Sequence, residues 1–205
     1  MLTTDKYFVY RPMLDLLGKS EGTDKGRGYN ETLGYGAYTG GDKNLVEMTL
    51  DQIDILQTKM LKHPKNKWKS SALGRYQIVR TTLREIISKL NLSTALKFDQ
   101  DMQDRMGCYL LGVRGIDKWL SGRLSTDTLI SNLSREWASL PTPEGKGFYS
   151  GQNASVSVAQ VKAALEAVRT RTNATPPTPI PDPVPVAKPK GFWNWLFTLL
   201  GWNRN

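Results

Sequence analysis

Apolar residues recur at helical spacing over most of this chain, and the stretches where that rhythm fails are as informative as those where it holds. Met13, Leu14, Leu16 and Leu17 share one face of a 3.6-residue repeat, with Pro12 suited to a first helical turn. Gly18 and Gly22 weaken the end of this helix, which places Glu21 at or near its C-terminus. Helical spacing returns at Thr49, where a Thr-x-x-Gln box with Gln52 predicts a capped helix over Leu50–Leu61. A basic loop, His63–Ser71, follows, and further helices are predicted near 75–90, 99–113, 115–122, 126–138 and 156–171. Residues 22–44 break the pattern. Gly26-Arg27-Gly28-Tyr29 and Leu33-Gly34-Tyr35-Gly36-Ala37-Tyr38-Thr39-Gly40-Gly41 favour turns and a small, irregular β-hairpin, within a β element placed near 28–48. The fold class expected is therefore mainly α (α+β), with one small β-hairpin.

A second break comes late in the chain. Seven of the eleven prolines fall between Pro176 and Pro189. A polyproline-type spacer of roughly 14 residues reaches about 40 Å when extended at about 3.1 Å per residue. The division expected is a folded domain over 1–172, a Pro-rich linker over 173–190 and an aromatic tail over 191–205. Three of the six tryptophans lie in that tail. It is too short to span a bilayer. Flanked by Lys188, Lys190 and Arg204, it instead suits a membrane interface through Trp193, Trp195, Phe197 and Trp202. The alternative is a tail that folds back on the domain.

Composition narrows the chemistry. With 205 residues, 39% of them hydrophobic, the chain holds one core of ordinary size plus an appendage. Its net charge of +9 draws it to polyanions, namely acidic wall, anionic lipid or nucleic acid. No nucleic-acid motif accompanies the charge, so no nucleic-acid partner is expected. The lysine run from Lys62 to Lys69 reads as a solvated loop. A single cysteine, Cys108, excludes an intrachain disulfide and reads as a small core residue. The lone histidine, His63, lies in the lysine-rich loop, which disfavours a Cys/His nucleophile and a zinc site alike. Neither metal nor cofactor is expected. Thr3, Thr4, Asp5 and Lys6 interrupt the place of a signal-peptide core, so any action outside the cytoplasm calls for another exit.

Two short words carry the candidate chemistry. Ser20-Glu21-Gly22-Thr23-Asp24 sets a carboxylate where a helix runs out into glycine, a place where partial burial raises its pKa toward that of a usable general acid. Ala72-Leu73-Gly74-Arg75-Tyr76-Gln77-Ile78 supplies amide, phenol and backbone groups able to hold a sugar against it. Both words resemble those of lytic transglycosylases and lysozymes, and most closely the lambda-type phage endolysins. A third, Trp137-Ala138-Ser139-Leu140-Pro141 followed by Gly145-Lys146-Gly147-Phe148-Tyr149-Ser150-Gly151-Gln152, is similar to their C-terminal part. The three occur in the family's order across about residues 10–170.

The resemblance implies a lysozyme-like, two-lobed helical domain that cleaves the β-1,4 bond between N-acetylmuramic acid and N-acetylglucosamine in peptidoglycan. Glu21 would act as acid and then as base, the muramoyl 6-hydroxyl attacking to give a 1,6-anhydro product. Gly74, Tyr76, Gln77 and Tyr149 are assigned to substrate binding, with the glycines around Tyr149 allowing close approach of backbone to a sugar. Tyr29, Tyr35 and Tyr38 are unranked candidates to present flat faces to sugar rings. A hydrolytic muramidase would need a second carboxylate. The T-even lysozyme pattern asks for aspartate and threonine at positions where Asn30 and Gly36 stand, so Asp24, Glu31 and Asp42 are the candidates. The resemblance also implies a monomer held in the host cytoplasm until a holin releases it to the periplasm, where it would lyse the host. A virion-borne wall-piercing enzyme, a peptide-cleaving relative and a non-catalytic wall- or membrane-binding protein are the alternatives.

Overall fold

A computed structural model describes residues 5–174; the Pro-rich linker and the aromatic tail, with Trp193, Trp195, Phe197 and Trp202, lie outside the described residues. The architecture is mainly helical and lysozyme-like in class, in the order α1 Arg11–Ser20, α2 Leu50–Lys62, α3 Arg80–Lys89, α4 Gln100–Arg114, α5 Ile116–Leu120, α6 Thr126–Glu136 and α7 Val158–Ala174. Short 3-10 turns at Thr23–Lys25, Gly28–Asn30 and Leu45–Glu47 fill the gap between α1 and α2.

Local chemistry sets the helix ends. Thr49 and Gln52 form the reciprocal capping box at the start of α2. Ser157 and Gln160 repeat the device at α7, each accepting the other's backbone N–H through its side chain. Asp99 caps α4 by accepting from Met102 N–H, and Ser125 caps α6 by accepting from Thr128 N–H. Such caps are each worth about 1 kcal/mol.

The helices then bury their apolar faces on one another. α1 lies on α7, α4 on α6, and α2 on α3. Met13, Leu14 and Leu17 of α1 and Val161, Leu165 and Val168 of α7 are fully buried, and each such side chain contributes about 1.5–3 kcal/mol relative to exposure. Cys108 belongs to the same core.

Two expected boundaries move. The helix expected at 75–90 begins only at Arg80, because Gly74 (φ +76) and Gln77 (φ +48) are left-handed and turn the chain before a helix can start. The hairpin expected near 28–48 is not made of paired strands. Thr32–Gly41 runs instead as successive turns closed by their own backbone bonds, such as Tyr35 N–H to the Thr32 carbonyl. What β pairing exists among the described residues is isolated bridges, long-range between Thr32 and Leu73 and between Thr49 and Lys97, local between Leu73 and Ile78 and between Pro141 and Gly147. The two bridges at Leu73 dock the glycine-rich segment onto the loop that carries Gln77. Among the described residues no helix is long and apolar enough to cross a membrane.

Candidate active site

Glu21 is the residue that caps the C-terminus of α1, its N–H donating to the Leu17 carbonyl at 2.9 Å. Gly22, at φ +74, ends the helix in a conformation costly for other residues and so pins Glu21 at the helix end. The side chain is partly buried, and burial pushes its carboxyl above the ordinary glutamate range; the hydrogen bond from Ser139 acts in the opposite sense and is outweighed. The carbonyl end of the helix dipole likewise disfavours a negative charge here.

The hydrogen-bond partner of this carboxyl comes from a segment distant in sequence. Ser139 Oγ–H donates to Glu21 Oε1 at 2.6 Å, across 118 positions of sequence. Ser20 Oγ lies 2.9 Å from Ser139 Oγ and 3.1 Å from the Leu17 carbonyl oxygen. Glu21 therefore stands at the head of a chain of two hydroxyls that ends on a fixed acceptor. Both serines lie within words singled out from the sequence, yet no role followed for either, because nothing local shows that residues 20 and 139 meet.

Beside Trp137, two positions from Ser139, opens a cavity of about 340 Å³ lined by Tyr76, Gln77, Arg114, Arg135, Trp137 and Tyr149 among others. Gln77 and Tyr149, assigned to substrate on sequence grounds, thus line the same cavity. Gln77 Nε2 donates to the Gly74 carbonyl at 2.9 Å, which leaves Oε1 without a protein partner among the described residues. Tyr149 is 46% exposed and its hydroxyl donates to the Arg135 carbonyl at 2.8 Å. Its ring meets Phe148 edge to face, and the Arg135 guanidinium lies over Phe148. Sequence reasoning had no signal for Arg135. Trp137 is a core residue whose indole N–H donates to the Tyr76 carbonyl at 3.3 Å.

Two other assigned residues serve the scaffold. Tyr76 is 1% exposed, and its hydroxyl donates to Asp104 at 2.5 Å, so the phenol is spent inside the protein rather than offered to a sugar. Gly74 is buried as well, its N–H donating to the Glu31 carbonyl at 2.8 Å. A Cβ there would lie 2.3 Å from Gln103 Oε1 and 2.9 Å from Phe98, so this glycine admits neighbouring side chains, not a ligand. Of the tyrosines 29, 35 and 38, the first donates to Asp104 at 2.7 Å, the second is 85% exposed, and the third packs on His63.

The three candidate second carboxylates are each engaged away from Glu21. Asp24 accepts the guanidinium of Arg75 at 2.8 and 2.9 Å. Glu31 is buried, its oxygens accepting from the N–H groups of Arg27 and Thr32 at 2.9 Å each. Asp42 is exposed and pairs with Arg27 at 3.2 Å. Among the described residues, none of them hydrogen-bonds to Glu21.

A mainly helical domain with one partly buried glutamate at a helix end fits the class of wall-degrading enzymes, although Glu21 is not among the residues lining the cavity beside Trp137. The family model described as Endolysin matches residues 11–170. The chain belongs to the endolysin family, the enzymes with which phages degrade the peptidoglycan of their hosts at lysis. It is 30% identical over 160 residues to the endolysin of Escherichia phage lambda, covering 78% of this chain and 92% of that relative. No solved structure matches the chain.

Proposed function

We propose that the chain is a lytic transglycosylase in which Glu21 is the sole acid and base. The observation that carries this reading is a glutamate whose pKa is raised by burial, while each of the three candidate second carboxylates is engaged by other groups, Asp24 by Arg75, Glu31 by backbone N–H groups and Asp42 by Arg27. Glu21 gives its proton to the glycosidic oxygen between N-acetylmuramic acid and N-acetylglucosamine, and the C1–O bond breaks. The substrate's own acetamido oxygen stabilises the cation left at C1. The muramoyl 6-hydroxyl then attacks C1 and returns its proton to the Glu21 carboxylate, so no water is consumed and a 1,6-anhydro ring closes.

The hydroxyl chain suits both halves of this cycle. Ser139 Oγ–H donates to Glu21 Oε1 in both states, which leaves the proton of the neutral carboxyl on Oε2 for the glycosidic oxygen, and Ser20 Oγ–H donates to Ser139 or to the Leu17 carbonyl. Gln77, through its free Oε1, and Tyr149 are the residues proposed to hold acetamido or hydroxyl groups in the cavity. The enzyme acts as a monomer in the periplasm, reached from the host cytoplasm through a holin.

Mass spectrometry of muropeptides from purified peptidoglycan tests this. The wild type yields muramic ends lighter by one water than hydrolysed ones, and Glu21→Gln yields no glycan cleavage while still binding the wall. Reducing muramic ends would identify water as the nucleophile, and free peptide ends on intact glycan would move the scissile bond. Undiminished cleavage by Glu21→Gln would remove this residue from the chemistry.

A further inference from the structure

The loop after α2 is built to display a ring among cations. Asn66 is fully buried at its centre, and Nδ2 donates to the Met60 carbonyl at 2.8 Å and to the Ser70 carbonyl at 2.7 Å. Asn66 N–H reaches the His63 carbonyl and Lys69 N–H reaches the Asn66 carbonyl, so the segment closes on itself. Lys69 is held at φ +49, a left-handed conformation that a non-glycine residue keeps only where its surroundings impose it. The His63 ring packs edge to face on Tyr38, which ties the loop to the neighbouring turn segment.

What this frame presents is Trp68, 83% exposed, in a segment where Lys62, Lys65, Lys67 and Lys69 are exposed as well. Among the described residues none of these four lysines is in an ion pair, and no acidic residue occurs between Lys62 and Lys69. Tyr35, 85% exposed, extends from the segment that His63 contacts through Tyr38. A tryptophan held out of the core by an ordered loop has the chemistry of the headgroup layer, where an apolar ring and a polar N–H are both satisfied. Lysines around it gain from a negative surface. The ring protrudes and does not line the sugar-sized cavity beside Trp137, which favours a soft planar surface over a glycan strand.

We propose that Lys62–Lys69 is a docking site for an anionic phospholipid bilayer, with Trp68 seated at the headgroup level and the lysines on lipid phosphates. The site is distinct in sequence from the C-terminal tail and independent of how Glu21 works. It would hold the enzyme at the membrane that borders its substrate.

Co-sedimentation of the full chain with phosphatidylcholine vesicles, with and without phosphatidylglycerol, tests the site. The wild type partitions onto the phosphatidylglycerol vesicles, less so at high salt. Trp68→Ala lowers that partitioning about tenfold. Replacing Lys62, Lys65 and Lys67 together by Gln lowers it about 100-fold, at about fivefold per lysine. Both variants retain wild-type circular dichroism and wild-type cleavage of purified peptidoglycan. Variants that partition like the wild type would overturn the proposal and leave the tail as the anchor, as would equal binding to vesicles lacking phosphatidylglycerol or no binding at all. Loss of binding to purified peptidoglycan with vesicle binding intact would overturn it in favour of the wall.

Discussion

At the residue scale, the behaviour of Glu21 is a contest between burial and one hydrogen bond. Burial favours the neutral carboxyl and Ser139 favours the ionised one, and burial prevails. Since the proposed first step needs the proton present, activity holds while pH is below the raised pKa of Glu21 and declines as pH climbs through it. Ser139→Ala removes the group that lowers that pKa. The expected outcome is an alkaline limb of the pH–rate profile displaced to higher pH, together with about a tenfold loss of kcat from a carboxyl less firmly aimed. A merely structural serine would lower the folded fraction and leave the limb in place. Ser20→Ala, one hydroxyl further out, should move the limb less than Ser139→Ala in the same profile.

At the scale of elements, the four-residue loop Gly74–Gln77 decides what the cavity can hold. It is closed by the Leu73–Ile78 bridge on one side and by Glu31 and Gln103 on the other; Gln103 Oε1 accepts from Arg75 N–H at 2.9 Å. Gly74 and Gln77 are both left-handed, for different reasons. Gly74 sits where a Cβ would collide with Gln103, and Gly74→Ala should cost about 2–4 kcal/mol in denaturant titration. Gln77 is a non-glycine at φ +48 on a cavity wall, a strained position of the kind that clusters at functional sites. Gln77→Gly relieves the strain and removes the amide, so stability should stay within about 1 kcal/mol while KM for glycan rises about tenfold. A KM unchanged in that variant would take Gln77 out of substrate binding.

Across the whole molecule, the helices and loops are held by a charge network centred on two buried groups, Asp104 and Arg75. Asp104, 5% exposed, accepts from Tyr76 at 2.5 Å, from Tyr29 at 2.7 Å and from Arg11 Nη2 at 2.7 Å. Arg11 reaches on to Asp5, while Arg75 joins Tyr29 and Tyr76 to Asp24 and Asp15. The N-terminal segment, α1, the Gly74 loop and α4 are thereby locked around one another. Asp104→Ala would leave the Tyr76 and Tyr29 hydroxyls without their acceptor, while Arg11 keeps Asp5, a loss of about 2–4 kcal/mol. Asp104→Asn, which keeps an acceptor, should lose clearly less in the same unfolding experiment; equal losses would show that charge, not hydrogen bonding, holds the junction.

The helices were legible in the sequence because their apolar faces and caps are local. The 3.6-residue rhythm of Met13–Leu17 and the Thr49–Gln52 box need no tertiary partner to be recognised. The position of Glu21 at a helix end was legible for the same reason, through Gly22. The delayed start of α3 was not, because the left-handed turn at Gln77 is imposed by the bridges and side chains packed around it. The hairpin failed for a related cause: a segment so rich in glycine closes its hydrogen bonds in turns, and its one ladder contact, at Thr32, is with Leu73 far along the chain. Tyr76 was a candidate sugar contact because sequence shows a residue's chemistry but not the direction in which it is spent, and it is the fold that turns its hydroxyl onto Asp104. The acid itself was thus encoded locally. Its partner Ser139 depends on two segments 118 positions apart being brought within hydrogen-bond range, which the folded chain alone decides.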